Sequence, residues 1–317
     1  MLHIQKKKSK PTEAPPLLGA HFSIAKGLHN ALLEAAAYHC NVLQLFTKNA
    51  STWKERTLSG DEIRRFEAAR ATTGINCIAS HTSYLINLAG PDKKKQEMSG
   101  EALRQELIRS SQLHIPYVVL HPGSHMGAGE QEGIARIAEG VNRIFSDTSG
   151  IAARLLFETT AGQGAGVGHR FEQLAQLLEK VENKKGIGIC LDTSHIFAAG
   201  YDIRTKRMYR QTMAVFDAVV GRRHLYLIHL NDSRKGLGSK VDRHEHIGRG
   251  EIGMPAFGFI MNDATLADVP KIIETPKEEQ GKDWDAVNLK CLRGLVKGVR
   301  QKAQSARKKF QIINIKQ

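Results

Sequence analysis

Eight short apolar runs, alternating with helical patterns, constrain this chain more than any other feature of its sequence. The runs are Leu17–Phe22, Val42–Thr47, Asn76–His81, Tyr117–Pro122, Leu155–Thr160, Ile187–Thr193, Leu225–Asn231 and Lys271–Thr275. Between them the pattern turns helical, as in Gly27–His39, Asp61–Thr73, Ala102–Leu113, Glu132–Phe145, Phe171–Glu182 and Thr205–Val220. A last helix is expected over Asp283–Lys309. Ser59, ahead of Asp61 and Glu62, gives one helix an N-cap and an acidic first turn. Strands separated by helices form parallel βαβ units. A closed (β/α)8 barrel takes about 250 residues, and the span from Leu17 to the last helix fits that size. The expected fold is α/β, a single TIM barrel; a doubly wound open sheet shares its periodicity and is the alternative. No repeat or linker divides the chain. The expected organisation is a catalytic barrel over 17–300, a basic N-terminal extension over 1–16 and a basic C-terminal tail over 301–317.

The 317 residues are 41% hydrophobic and 25% charged, an ordinary globular composition. No apolar run approaches the ~18 residues of a membrane span, and MLHIQKKKSKPTEAPP has no apolar signal-peptide core. Cys40, Cys77, Cys190 and Cys291 are scattered and form no C-x-x-C pair. That argues against a disulfide framework and for a reducing cytoplasm. The formal charge of +14 sits at the ends: residues 1–13 carry +3 and residues 286–317 carry +9, leaving +2 for the body. Basic ends of this kind can follow phosphates through counterion release.

Polar residues cluster where the apolar runs stop. His81 follows CIAS, His121 follows VVL, Glu158 follows RLLF, Asp192 follows ICL, His229 follows YLI and Glu274 follows KII. His195 comes one short turn after Asp192, and Asp242 and His244 lie in the long loop after the seventh run. Barrel enzymes assemble their sites at strand C-termini, where the loops converge. One histidine at a strand end is usually a loop hydrogen-bonding residue. Nine His and carboxylate donors in register with six consecutive strand–helix boundaries point instead to a metal cluster. Five imidazoles and four carboxylates, with no thiolate, suit zinc, with manganese or iron also compatible. Nine ligands exceed the needs of two tetrahedral ions, so three are expected. Their formal charge would leave about +2 at the rim, suited to a phosphate. Gly162, Gly164, Gly166 and Gly168 alternate too strictly for a nucleotide-binding motif and read as a loop that lets backbone approach a ligand.

The stretches HTSYLINLAGP (81–91), HPGSH (121–125), FETTAGQG (157–164), LDTSHIFAAGYD (191–202) and HLNDSRKGLGSKVDRHEHIGRGEIG (229–253) closely resemble the endonuclease IV family of apurinic/apyrimidinic endonucleases. GAHFSIAKGL (19–28), FTKN (46–49) and ETP (274–276) agree with it. The resemblance runs from about Gly19 to Pro276, in family order. It implies a (β/α)8 barrel whose three zinc ions, with Mn2+ admissible at one site, cleave duplex DNA 5′ to abasic sites, leaving a 3′-hydroxyl and a 5′-deoxyribose phosphate. By resemblance, His81 and His121 hold the first zinc, and Asp192, His229 and Glu274 the second, with Glu158 bridging them. His195, Asp242 and His244 hold the third. A metal-bridged hydroxide would be the nucleophile, oriented or deprotonated by Glu158. Tyr84 and Leu85 match the loop residues that enter the DNA at the lesion. Some relatives have an arginine that fills the lesion gap where this chain has Ser51; Lys54 and Arg56 are the nearby cations that could replace it. The expected partner is abasic duplex DNA, acted on by a monomer with no membrane association. Two other classes compete: a sugar or sugar-phosphate isomerase on a related metal-dependent barrel, and a non-catalytic nucleic-acid binder working through its basic ends. The Asp242–His244 pair and the Tyr84–Leu85 loop favour the nuclease.

Overall fold

Hydrogen bonding runs unbroken around one parallel sheet. The computed structural model describes residues 15–279 and 281–296. Its strands are β1 (Leu18–His21), β2 (Val42–Leu45), β3 (Cys77–His81), β4 (Tyr117–Leu120), β5 (Arg154–Glu158), β6 (Ile187–Asp192), β7 (Leu225–His229) and β8 (Lys271–Ile273). Each pairs with the next, and β8 returns to β1, closing the barrel. Closure excludes the open-sheet alternative. All eight expected strands are present, shortened at their ends where the chain turns into loops.

The outer layer comprises α1 (Leu28–Ala37), α2 (Gly60–Thr73), α3 (Lys93–Gln112), α4 (Glu130–Asp147), α5 (Phe171–Lys180), α6 (Thr193–Ala199), α7 (Lys206–Val219), α8 (Met254–Met261) and α9 (Trp284–Leu295). The Ser59 cap forms as expected: its hydroxyl accepts from the Glu62 amide while Glu62 accepts from the Ser59 amide. Helix α3 begins well before Ala102, because Asp92 caps it and its first turns face solvent without an apolar stripe. Helices α6 and α8 had no sequence expectation. The first is short and buried, and the second is too uniformly apolar to show a period. The two basic extensions fall almost wholly outside the described residues, as does the expected last helix beyond Val296.

Alternation along the strands sets two layers inside the barrel. Val42, Ala79, Val119, Leu156, Cys190, Leu227 and Ile272, one from each of β2 to β8, pack together as an apolar plug in the bore. The corresponding residue of β1 is Gly19, where a Cβ would lie 1.7 Å from the carbonyl oxygen of Val42. No side chain fits there, so the first strand approaches its neighbour closely. Side chains pointing outward from the strands join the larger core beneath the helices.

Candidate metal centre

Two residues beyond the apolar plug, each strand again points inward, and there every residue is polar. The ring so formed is His21, Gln44, His81, His121, Glu158, Asp192, His229 and Glu274. The barrel thus has a dry floor and a ring of donors above it, at the C-terminal mouth where barrel enzymes work.

Glu158 is the hub. It is fully buried, with Oε2 3.1 Å from His81 Nε2 and 3.0 Å from His121 Nε2. Its Oε1 lies 2.8 Å from His229 Nδ1, and that same nitrogen is 3.1 Å from Glu274 Oε2. Asp192 joins Glu158, His229 and Glu274 in one close group of potential ligand atoms. Asp192 also accepts from the His195 amide at 2.9 Å, capping α6 and placing His195 on its first turn. One carboxylate therefore belongs to the group around Glu158 and also positions His195.

That third set lies at the rim. His195 Nε2 is 3.1 Å from Asp242 Oδ2, and His244 Nε2 is 3.3 Å from Asp242 Oδ1. Both contacts are short enough for ion pairs yet misdirected for hydrogen bonds, so both buried ring nitrogens lack a hydrogen-bond partner among the described residues. Unsatisfied buried nitrogens are costly. Asp192, His195 and His244 offer ligand atoms close to one another, with Asp242 against both rings, and a shared cation would satisfy that cost; the donor set fits zinc. The rings are held for the purpose. Backbone carbonyls of Thr82, Thr159 and Glu274 accept from Nδ1 of His81, His195 and His244 at 2.9, 2.8 and 3.3 Å, turning each Nε2 inward.

The electrostatics say the same. Burial would lower the pKa values of His229 and His195. The carboxylates of Glu274 and Glu158 around the first, and Asp192, Asp242 and Glu158 around the second, override burial and raise both well above the ordinary value. Burial would raise the carboxyls, but His229 and His121 hold Glu158 well below its usual range, and His195 and His244 hold Asp242 down at about 2. Without ions, the cluster gathers protons onto the nitrogens that would otherwise bind metal.

The centre opens into a cleft of about 370 Å³ bordered by Phe46, Tyr84, Arg243 and Lys277. Tyr84 is 68% exposed and stands edge-on to Phe46 at 5.6 Å, with Leu85 beside it on the same loop. Ser51 lies in the loop after β2, its amide bonded to Asn49. Arg56 pairs with Glu62 at the start of α2. A larger groove, about 700 Å³ between α3 and α4, is lined by paired surface charges and lies away from these donors.

All nine sequence-expected donors thus converge, with Asp242 reaching the rim from its loop. Three neighbours had no sequence expectation. Cys190 lies within ligand distance of Glu158 and His229, but burial pushes its thiol up to about 12. Gln44 and His21 complete the polar ring. The signal that could have found them is the two-residue step from each plug residue to the donor above it.

A family model described as xylose isomerase-like TIM barrel matches residues 32–295. A Chloroflexus aurantiacus protein named "Probable endonuclease 4" is 46% identical over 283 residues, 89% of this chain and 99% of that protein. The crystal structure of endonuclease IV from Thermus thermophilus superposes with a TM-score of 0.78 at 36% identity, covering 89% of this chain and 100% of that one. A D-tagatose 3-epimerase-like protein superposes with a TM-score of 0.67 at 17% identity, covering 90% and 99% of the two chains, a likeness of fold alone.

Proposed function

The chain belongs to the endonuclease IV family, within the xylose isomerase-like TIM barrels, and from that premise we propose that it repairs DNA by hydrolysing the phosphodiester 5′ to abasic sites at a three-zinc centre. The observation that carries this reading is the gathering of eight donors into close groups around Glu158 and Asp192, with Asp242 against His195 and His244 and the Nε2 atoms of those two rings left unsatisfied. The proposed ligand sets are His81, His121 and Glu158; Glu158, Asp192, His229 and Glu274; and His195, Asp242 and His244.

Bound divalent ions at such a centre lower the pKa of water and stabilise the leaving oxygen of an in-line displacement. The protein's own part begins with Glu158, whose carboxylate faces the mouth between three imidazoles. It orients the attacking water and accepts its proton. The water oxygen bonds to phosphorus, the bond from phosphorus to the 3′ oxygen breaks, and that oxygen takes a proton to end as a 3′-hydroxyl. The other product carries a 5′-deoxyribose phosphate. Arg243 and Lys277 line the cleft and offer positive charge beside the phosphates. Tyr84 and Leu85 form the wedge at the lesion. An abasic nucleotide has no base stacking to lose, so turning it into the cleft costs less than extruding an intact one. We read the protein as a monomer acting on duplex DNA in the cytoplasm.

The test is a duplex carrying one tetrahydrofuran abasic analogue. The expected result is a single cut on its 5′ side with an extendable 3′-hydroxyl. The activity should resist brief EDTA and disappear after prolonged chelation, because His81, Glu158, Asp192, His195 and His229 are buried. An uncut duplex, or activity that needs added magnesium and vanishes at once in EDTA, would overturn the reading. Isomerisation of free sugars by the same preparation would favour the epimerase-like class.

A further inference from the structure

His229 is turned the opposite way from His81, His195 and His244. Its Nδ1 faces the carboxylates of Glu158 and Glu274, and its Nε2 points away to Gln44 Oε1 at 2.9 Å. Among the described residues a side-chain amide, not a backbone carbonyl, sets this ring. Gln44 is fully buried on β2, and its amide nitrogen contacts Glu274 Oε1 and lies 3.0 Å from His21 Nδ1.

Chemistry fixes which end of the amide faces which neighbour. The Glu274 carboxylate only accepts, so the Gln44 atom against it is the NH2 group, and Oε1 faces His229. An amide oxygen also only accepts, so His229 holds a hydrogen on Nε2, and the nitrogen that can give up its hydrogen to a cation is Nδ1, which faces the carboxylates of Glu158 and Glu274. The second amide hydrogen goes to His21 Nδ1. Gln44 thereby engages one oxygen of Glu274 and leaves Oε2 beside His229 Nδ1. A single buried amide orients two ligands that the fold brings from different strands.

We infer that Gln44 is the positioning residue of the second metal: held by His21, it makes His229 an Nδ1 ligand and Glu274 an Oε2 ligand. This rests on the three-zinc reading. Partners of this kind typically change metal affinity by about 10–100-fold. The first measurement uses the unaltered zinc-loaded protein with 15N-labelled histidine, in a long-range proton–nitrogen correlation. His229 is expected to show a protonated Nε2 and a metal-shifted Nδ1. The second uses Gln44→Met, which keeps the volume and removes both hydrogen bonds. One zinc equivalent should pass to a chromogenic chelator about 10–100-fold faster than from the parent, with the other two unchanged. Gln44→Glu retains an acceptor for His229 but sets a carboxylate against Glu274, and should also lose that one equivalent faster. A parent protein with His229 protonated at Nδ1 would overturn the inference, as would variants that release all zinc at parental rates. If Gln44→Met fails to fold, the spectrum of the unaltered protein still decides. A parent that binds no zinc would sink the metal reading itself, a result distinct from zinc bound with the other tautomer.

Discussion

Glu158 concentrates the contacts of this centre in one side chain. Its two oxygens divide between His81 and His121 on one side and His229 on the other, with no exposure to solvent. Removing its charge while keeping its shape is therefore a sharp test. Glu158→Gln should retain the fold by circular dichroism yet lower turnover by about 10²–10⁴-fold, the usual contribution of a positioned acid–base group. Turnover within a few-fold of the parent, at saturating abasic duplex, would remove Glu158 from proton transfer and leave it a ligand only.

At the scale of elements, the loops after β2 and β3 are held from below so that their tips can face a ligand. Arg109 of α3, 1% exposed, bonds to Thr47 at 2.8 Å and to Glu106 at 2.9 Å, and pairs with Glu55. Breaking such a buried cluster leaves uncompensated charge, which anchors the loop from Thr47 to Arg56. Ser83 bonds to the carbonyl of Ala50 and ties the next loop to it. Tyr84 thus projects from a fixed base. Tyr84→Ala should weaken binding to abasic duplex by about 1–3 kcal/mol, the range of an aromatic stacking contact, and leave intact duplex nearly unaffected. Equal losses on both duplexes, in a paired titration, would mean that the ring only packs its own loop against Phe46.

For the whole molecule, ions and protons compete for the same nitrogens, which fixes the sign of the pH response. In metal-free protein, the raised His195 and His229 contribute stability that is complete below the ordinary imidazole pKa and lost as pH rises through their folded values. Glu158 and Asp242, held low, contribute stability present above the ordinary carboxylate range and lost as pH falls, for Asp242 toward about 2. Exhaustively chelated protein should therefore lose thermal stability from neutral to alkaline pH. Metal-loaded protein should not, since cations then meet the carboxylates, and it should weaken on acidification instead. Superimposable Tm–pH curves for the two forms would contradict this. The +9 of residues 286–317 adds a second whole-molecule expectation. Each phosphate neutralised contributes ~0.9 to the salt slope of log affinity. Truncation after Gln301 should flatten that slope and weaken binding to undamaged DNA, with incision at saturating substrate unchanged. An unaltered slope would mean that those charges do not meet the duplex.

The eight strands and the six strand-end donors were legible in the sequence because each is a local pattern. An apolar run ends on a charged or imidazole side chain, as in YLIH for His229 or RLLFE for Glu158, and βαβ chirality then sends every such end to one mouth. Whether the sheet closes was not legible, since an open sheet has the same periodicity and only the pairing of β8 with β1 decides. His21 and Gln44 stayed hidden for a related reason. Gln44 sits inside the apolar run VLQLF, where it reads as ordinary alternation, and its partner His229 is 185 residues away in the chain. Periodicity reports which face a residue occupies; only closure of the barrel brings Gln44 against His229.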